Sequence, residues 1–189
     1  WKTTNAGTTW TPIFDDQPVY SIGDVTIAPS NSNIIWVGTG ENNGGRHISF
    51  GDGVYKSVDG GQTWKNMGLS KSEHVSDIII HPTNPDIVWV SAQGPLWSGG
   101  GERGLYKTTD GGETWKQVLT PADKWTGVTS LLIDPRNPDK LYAATWARQR
   151  SIGAYVGTNE GAGIHTSNDG GETWTELKTG LPEGNMGKI

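Results

Sequence analysis

One octapeptide, present four times, limits what this 189-residue chain can fold into more than any other feature. Thr3-Thr4-Asn5-Ala6-Gly7-Thr8-Thr9-Trp10 returns as Ser57–Trp64, Thr108–Trp115 and Ser167–Trp174, at spacings of 54, 51 and 59 residues. Two residues ahead of each copy runs an aromatic column: Trp1, Tyr55, Tyr106 and His165. A second element interleaves with the first. Asp24 to Val37, with a turn from Pro29 to Asn33, is matched by Asp77 to Val90 and by Ser130 to Ala143, the prolines 53 and 53 residues apart. Two motifs sharing one period mean a tandem array, in which each repeat buries its apolar surface against its neighbours.

Each repeat reads as four strands. In the middle copy, Val75–His81 is a short apolar strand, and Pro82-Thr83-Asn84-Pro85-Asp86 is a turn. Ile87–Ala92 is a second strand, followed by a Gly-rich loop. Gly104–Thr109 and Thr114–Leu119 are a third and a fourth, joined by Asp110-Gly111-Gly112, where Gly supplies positive φ and Asp caps turn amides. No helix-length window carries a 3.6-residue apolar period. The 28 Gly fit many tight turns, and 10 Trp with 5 Tyr supply apolar surface in place of aliphatics. Four strands per repeat, in tandem, is the pattern of β-propeller blades. The expectation is an all-β arc of about three and a half four-stranded blades: residues 1–14 as the last two strands of one blade, 22–68, 75–119 and 128–179 as full blades, and 186–189 as the start of the next. An arc leaves open edges, so the remaining blades of a longer chain, or further copies, are expected to close the ring. The start at Trp1 instead of Met fits an excised piece.

The (Ser/Thr)-x-(Asp/Asn)-x-Gly-x-Thr-Trp motif resembles the Asp-box, or bacterial neuraminidase repeat. Its setting is similar to the propellers of sialidases, xyloglucan-degrading glycosidases and sortilin-type receptors. In texture, including the Pro-x-Asn-Pro-Asp turn, the chain resembles bacterial sortilin-like propeller proteins most. The resemblance implies a secreted, extracellular or periplasmic protein. It also implies a structural part for Asn5, Asp59, Asp110 and Asp169 and for the motif tryptophans Trp10, Trp64, Trp115 and Trp174. The strand tryptophans Trp36 and Trp89 join these four as expected core between blades.

Several function classes drop out. A net charge of −5 makes nucleic acid and anionic membranes poor partners. No apolar run nears the ~18 residues of a membrane-inserting helix. With no cysteine there is no disulfide, zinc–thiolate site or Cys nucleophile. No phosphate loop, EF-hand loop or nucleophile elbow is present. No metal ligand set is singled out, and no cofactor is expected; Ca²⁺ is compatible with such a propeller but no motif demands it. Sialidases share an Arg-Ile-Pro segment that this chain lacks.

The turns carrying the repeated Asp and Pro-Asn motifs belong on one face. Loops 41–52, 94–103 and 147–162, with 15–23, 68–74 and 120–127, belong on the other, where function concentrates on long irregular loops. Binding candidates there are the off-repeat Trp97, Trp125 and Trp146, with Arg46, His47, Arg103 and Arg148: aromatic and Arg anchors suit a peptide, protein or glycan. A glycosidase needs two carboxyls about 5–9.5 Å apart, and Glu41, Asp15, Asp16, Glu73 and Glu102 are the candidates. The expected function is a binding scaffold using this loop face, with a glycoside hydrolase, or a piece of one, as the alternative.

Overall fold

The computed structural model describes every residue except 44, 183, 185 and 189. Among the described residues there is no helix. Three four-stranded antiparallel sheets follow one another along the chain. The first comprises β1 (Ile22–Ile27), β2 (Ile35–Thr39), β3 (Val54–Ser57) and β4 (Lys65–Asn66). The second comprises β5 (Val75–Ile80), β6 (Val88–Ala92), β7 (Gly104–Thr108) and β8 (Lys116–Leu119). The third has β9 (Thr126–Asp134) and β10 (Asn137–Ala147) as its inner pair. A small hairpin, β11 (Gln149–Arg150) and β12 (Tyr155–Val156), interrupts it before β13 (Gly163–Ser167) and β14 (Thr175–Glu176) complete it. Each sheet is a meander in chain order, with one outward-running strand after another, as a propeller blade requires. Residues 1–14 contribute only an isolated antiparallel bridge between Lys2 and Thr11. No strand forms at 186–188, and Ile189 of the expected next blade lies outside the described residues.

The apolar core sits between blades, because each sheet is too thin to bury both faces alone. Between the first and second blades, Ala28, Trp36, Val54 and Met67 pack on Val75, Ile78, Val88 and Val90. Between the second and third, Trp89 and Leu105 meet Val128, Leu131, Leu141 and Ala143. Phe14 stands edge-on to Tyr55 and Trp64, at 5.2 and 5.1 Å between ring centroids, and ties residues 1–14 to the first blade.

Polar staples repeat with the same period. The Asp24 carboxylate accepts the Ile78 amide proton at 2.8 Å, and Asp77 accepts that of Leu131 at 2.8 Å. Lys2 Nζ donates to the Gly60 carbonyl at 2.7 Å and Lys56 Nζ to the Gly111 carbonyl at 2.9 Å. Trp64 Nε1 donates to the Ile13 carbonyl and Trp115 Nε1 to that of Met67, each reaching the preceding blade. The second glycine of the repeated turn is dictated by this packing. Gly112 has φ +98°, and a Cβ there would lie 2.5 Å from the Trp36 ring.

Candidate functional site

The repeated turn is closed on itself. Asp59 Oδ1 accepts from Ser57 Oγ at 2.8 Å and from the Thr63 amide at 2.9 Å, and Oδ2 accepts from Thr63 Oγ1 at 2.6 Å. Asp110 and Asp169 repeat the pattern. Their threonine and serine donors hold all three carboxyls far below the usual range. Asn5 keeps the Thr3 and Thr9 donors, while its amide donates to Thr9 Oγ1 at 2.9 Å. The turns also dock on the Pro-Asn turns of their own blades: the amides of Gly60, Gly111 and Gly170 each donate at 2.9 Å, to the carbonyls of Asn33, Asp86 and Asp139. The two turn classes therefore share a face, and their polar atoms are committed to one another.

The motif tryptophans do not share one environment. Trp64, Trp115 and Trp174 are half-buried, whereas Trp10 is 54 % exposed, which corrects its expected place in the core. Trp10 Nε1 donates to its own Gly7 carbonyl at 3.1 Å, as Trp174 Nε1 does to that of Gly171, and no preceding blade stands beside Trp10 among the described residues.

On the loop face, the candidates separate sharply. Arg103 is 4 % exposed and spends every N–H on carbonyls: Nε on Gly100 at 2.8 Å, Nη1 on Gln93 at 2.5 Å and Trp125 at 2.9 Å, and Nη2 on Pro95 and on Ser98 at 3.0 Å. It is the knot of loop 94–103 and has no donor left for a ligand. Arg148, 2 % exposed, donates one bond, from Nη1 to the Asn43 carbonyl at 2.6 Å. Its Nε and Nη2 have no hydrogen-bond partner among the described residues, and it takes part in none of their ion pairs. Burial lowers its pKa to about 10, opposed by Tyr155 and reinforced by Arg103, so it stays a cation at neutral pH.

Around Arg148 the three blades converge. Trp146, buried where a binding aromatic was expected to be presented, lies with its ring 6.0 Å from the guanidinium, donates Nε1 to the Gly157 carbonyl, and meets Tyr155 edge-on. Lys188 Nζ stands 5.9 Å from the same ring and donates to the Asn42 carbonyl at 3.0 Å. Gln93 Nε2 donates to Asn42 Oδ1, while Gln93 Oε1 and His74 Nδ1 are buried without partners among the described residues. His74 is pushed down to about 3, first by burial and then by Arg148, and so is neutral. Loop 41–52 covers this ground through Asn42 and Asn43. The result is a cationic, aromatic-walled centre with buried donors and acceptors to spare, and buried polar groups are seldom left so.

The other candidates stand apart from it or face their own loops. Trp97 is exposed, and Trp125 is half-buried, serving Arg103 and the Arg148 amide through its carbonyl. Arg46 and His47 are exposed on loop 41–52. Among the carboxylates, Glu41 accepts from Asn43 Nδ2 at 3.0 Å and Glu102 from the Lys71 amide at 2.8 Å. Glu73 has φ +61°, and burial raises its pKa against the pull of Arg103. Asp15 and Asp16 line a cleft with Lys2 and Gly60–Gln62, beside the Asp59 turn instead of with the loop-face centre, where they were expected. Of the five candidate carboxyls, Asp15 and Asp16 share a cleft with each other and not with Glu41, Glu73 or Glu102, and among the described residues no group of three or more His, Cys, Asp or Glu could hold a metal ion. His74, Gln93, Tyr155 and Lys188 were missed by sequence reasoning. Gln93 alone carried a signal: it shares a repeat column with Gly40 and Trp146, three unlike residues.

Comparison with known proteins adds kinship. The Sortilin-Vps10 family model, described as sortilin, neurotensin receptor 3, matches residues 52–185. A xyloglucanase of Paenibacillus sp is 26% identical over 148 residues, which cover 76% of this chain and 13% of that protein. A probable oligoxyloglucan-reducing end-specific xyloglucanase of Neosartorya fischeri is 29% identical over 130 residues, 68% of this chain and 15% of that one. The crystal structure of a GH74 enzyme of Niastella koreensis superposes with a TM-score of 0.66 at 25% identity, over 93% of this chain and 26% of that one. The fold is thus a β-propeller arc related to those of sortilin and the xyloglucanases, and the chain spans 13 to 15% of the length of the curated relatives it matches.

Proposed function

The chain belongs to the Sortilin-Vps10 family, and from that premise we propose that it is a binding scaffold whose loop face captures a ligand through a carboxylate. One observation carries this reading: a buried guanidinium, Arg148, with its Nε and Nη2 donors unengaged among the described residues and without an ion-pair partner. Nε and one Nη hydrogen form the fork that matches a carboxylate with two parallel bonds. A buried cation left uncompensated is costly, and an incoming anion relieves that cost. Lys188 adds a second positive group, and Trp146 and Tyr155 form apolar walls for the body of the ligand. Entry is from the loop side, where Asn43 is exposed and its carbonyl holds the guanidinium. Residence outside the cell or in the periplasm is part of the same proposal.

Calorimetry tests it with a heptapeptide pool free of Asp and Glu and bearing free C-termini against the same pool C-amidated, and with polygalacturonate against a neutral glucan. Binding confined to the carboxylate-bearing members, weakened by salt and lost in Arg148→Met, is the expected result. Equal binding of the amidated pool and the neutral glucan would sink the reading.

A second reading, that the chain is part of a polysaccharide hydrolase, is favoured by its two xyloglucanase relatives. Reducing-end release from xyloglucan tests it. Since Asp15 and Asp16 line a different cleft from the loop candidates Glu41, Glu73 and Glu102, this chain alone is expected to release none.

A further inference from the structure

Arg148 is one of three buried side chains at the loop face left short of partners. His74 and Gln93, each 2 % exposed, are the others: His74 Nδ1 and Gln93 Oε1 have none among the described residues. The two stand opposite each other, one residue beyond the Val75–Ala92 rung of β5 and β6, and the Gln93 amide donates to the His74 carbonyl at 2.9 Å. Gln93 Nε2 ends on Asn42 Oδ1, and Arg148 Nη1 ends on the carbonyl of the adjacent Asn43. One short stretch of loop 41–52 thus gathers both side chains. Burial first, and Arg148 next, keep the His74 ring neutral.

The repeat does not ask for these residues. His74 shares its column with Ser21 and Gly127, and Gln93 shares its own with Gly40 and Trp146. The first blade closes the same backbone bond, from the Gly40 amide to the Ser21 carbonyl at 2.8 Å, with no long polar side chain at either position. His74 and Gln93 therefore add polar atoms that blade geometry does not use, and burying such atoms unpaired costs free energy.

The unpaired atoms are of two kinds. Arg148 Nε and Nη2 only donate. Gln93 Oε1 accepts, because Nε2 of the same amide donates to Asn42 Oδ1, an oxygen that also receives the Lys188 ammonium at 3.3 Å. His74 Nδ1, on a neutral ring, accepts or donates according to the tautomer. A bare carboxylate answers the arginine and leaves Gln93 and His74 as they were. Hydroxyls answer both: an O–H donates to Gln93 Oε1, and a hydroxyl pairs with either tautomer of His74. A single amide N–H donates once and serves one of the two. Granted the carboxylate reading of Arg148, on which this rests, we propose that the ligand is a hydroxylated carboxylate of the sugar-acid class. Its carboxylate lies on the Arg148 fork and its hydroxyls on Gln93 Oε1 and His74 Nδ1. A free sugar acid and a uronate unit of a glycan present this same chemistry.

Ligand-observed NMR on the 189-residue chain at constant ionic strength tests it with three ring compounds of similar size. Galacturonate has the carboxylate and the hydroxyls, cyclohexanecarboxylate the carboxylate alone, and galactose the hydroxyls alone. Galacturonate is expected to bind at least about tenfold more tightly than cyclohexanecarboxylate, two hydrogen bonds to buried groups each being worth severalfold. Galactose is expected not to bind. Gln93→Leu is expected to cut the advantage of galacturonate to about threefold and to leave cyclohexanecarboxylate binding unchanged, a split that a general loosening of the fold would not produce. Arg148→Met is expected to lose both carboxylates. Equal affinity for galacturonate and cyclohexanecarboxylate overturns the proposal and leaves the carboxylate reading standing. Binding of neither overturns the two together. The three-compound comparison needs no variant, so it stands even if Gln93→Leu fails to fold. Trigalacturonate that displaces bound galacturonate assigns the ligand to a glycan, and failure to displace it assigns a free sugar acid.

Discussion

The turn face and the loop face treat buried or constrained polar groups in opposite ways. On the turn face, each acid of the motif is met by a hydroxyl two residues before it and by the amide and hydroxyl of a Thr four residues after it, blade after blade. On the loop face, two arginines of similar burial diverge: Arg103 has every donor engaged, and the Arg148 side chain has one hydrogen bond among the described residues. Repetition of the first kind makes a scaffold, because each turn closes on itself and docks on the Pro-Asn turn of its own blade in the same way. The single departure of the second kind is where a ligand can gain from what the fold leaves unmade.

The largest expected effect sharpens the contrast between the two arginines. Arg103→Ala strips the buried carbonyls of Gln93 and Pro95 of their donors. An unpaired buried group costs ~1–3 kcal/mol, so the variant is expected to lose about 2–6 kcal/mol of unfolding free energy in urea titration. Arg103→Lys is expected to recover only part of this, because an ammonium cannot reproduce the planar fork.

Next comes acid. His74, buried beside Arg148, titrates near 3 in the fold instead of 6.5. Its folded pKa is lowered, so the unfolded chain binds the proton first. Stability is then full above 6.5 and falls as pH drops toward 3, by at most ~1.4 kcal/mol per unit. Unfolding free energies measured from pH 7 to 4 are expected to fall in the native chain and to fall less steeply in His74→Gln, where His165, also lowered by burial, still contributes. An equal decline in both would remove His74 as the loop face's acid-sensitive group.

Arg148→Met has a smaller effect on stability and of the other sign. Exchanging an under-satisfied buried charge for an apolar side chain is expected to leave stability unchanged or raise it by ~1–2 kcal/mol, while carboxylate binding disappears. A loss as large as that of Arg103→Ala would break the comparison, because it would mean that Arg148 is as fully built into the scaffold as Arg103.

The four-copy motif made the fold readable, since its spacing, its glycines and its Asp are all demanded by local turn geometry. The site was less readable because it depends on which carbonyls the loops bring near. Arg103 and Arg148 look alike in sequence, both off the repeat and both in long loops; only the path of loop 94–103 separates them. Trp10 reads as core in the motif but is exposed, with no neighbouring blade to cover it among the described residues. Lys188 reaches Asn42 from 146 residues away, a contact that no local pattern announces. The five candidate carboxylates were chosen by loop class, and loop class does not determine where a side chain turns: Glu102 turns to a backbone amide, while Asp15 and Asp16 lie by the other face's turn.

The smallest expected effect comes from the turn face and tests whether its acids act as charges or as hydrogen-bond acceptors. Asn5 already fills the motif position with the Thr3 and Thr9 donors in place, the hydroxyl of Thr9 accepting instead of donating. A chain with Asp59→Asn, Asp110→Asn and Asp169→Asn is therefore expected to fold at pH 7 with a slightly lower unfolding midpoint. The acid limb is where the two chains part. All three carboxyls titrate below the ordinary value of 3.8 in the fold, so their stabilisation is present above that value and is lost as pH falls through it. Between pH 4 and 2 the native chain is expected to lose stability more steeply than the triple variant, with urea midpoints drawing together at the acid end. A variant already unfolded at pH 7 would show that the turns need the charge itself, and that Asn5, beside the exposed Trp10, marks a copy that does without it.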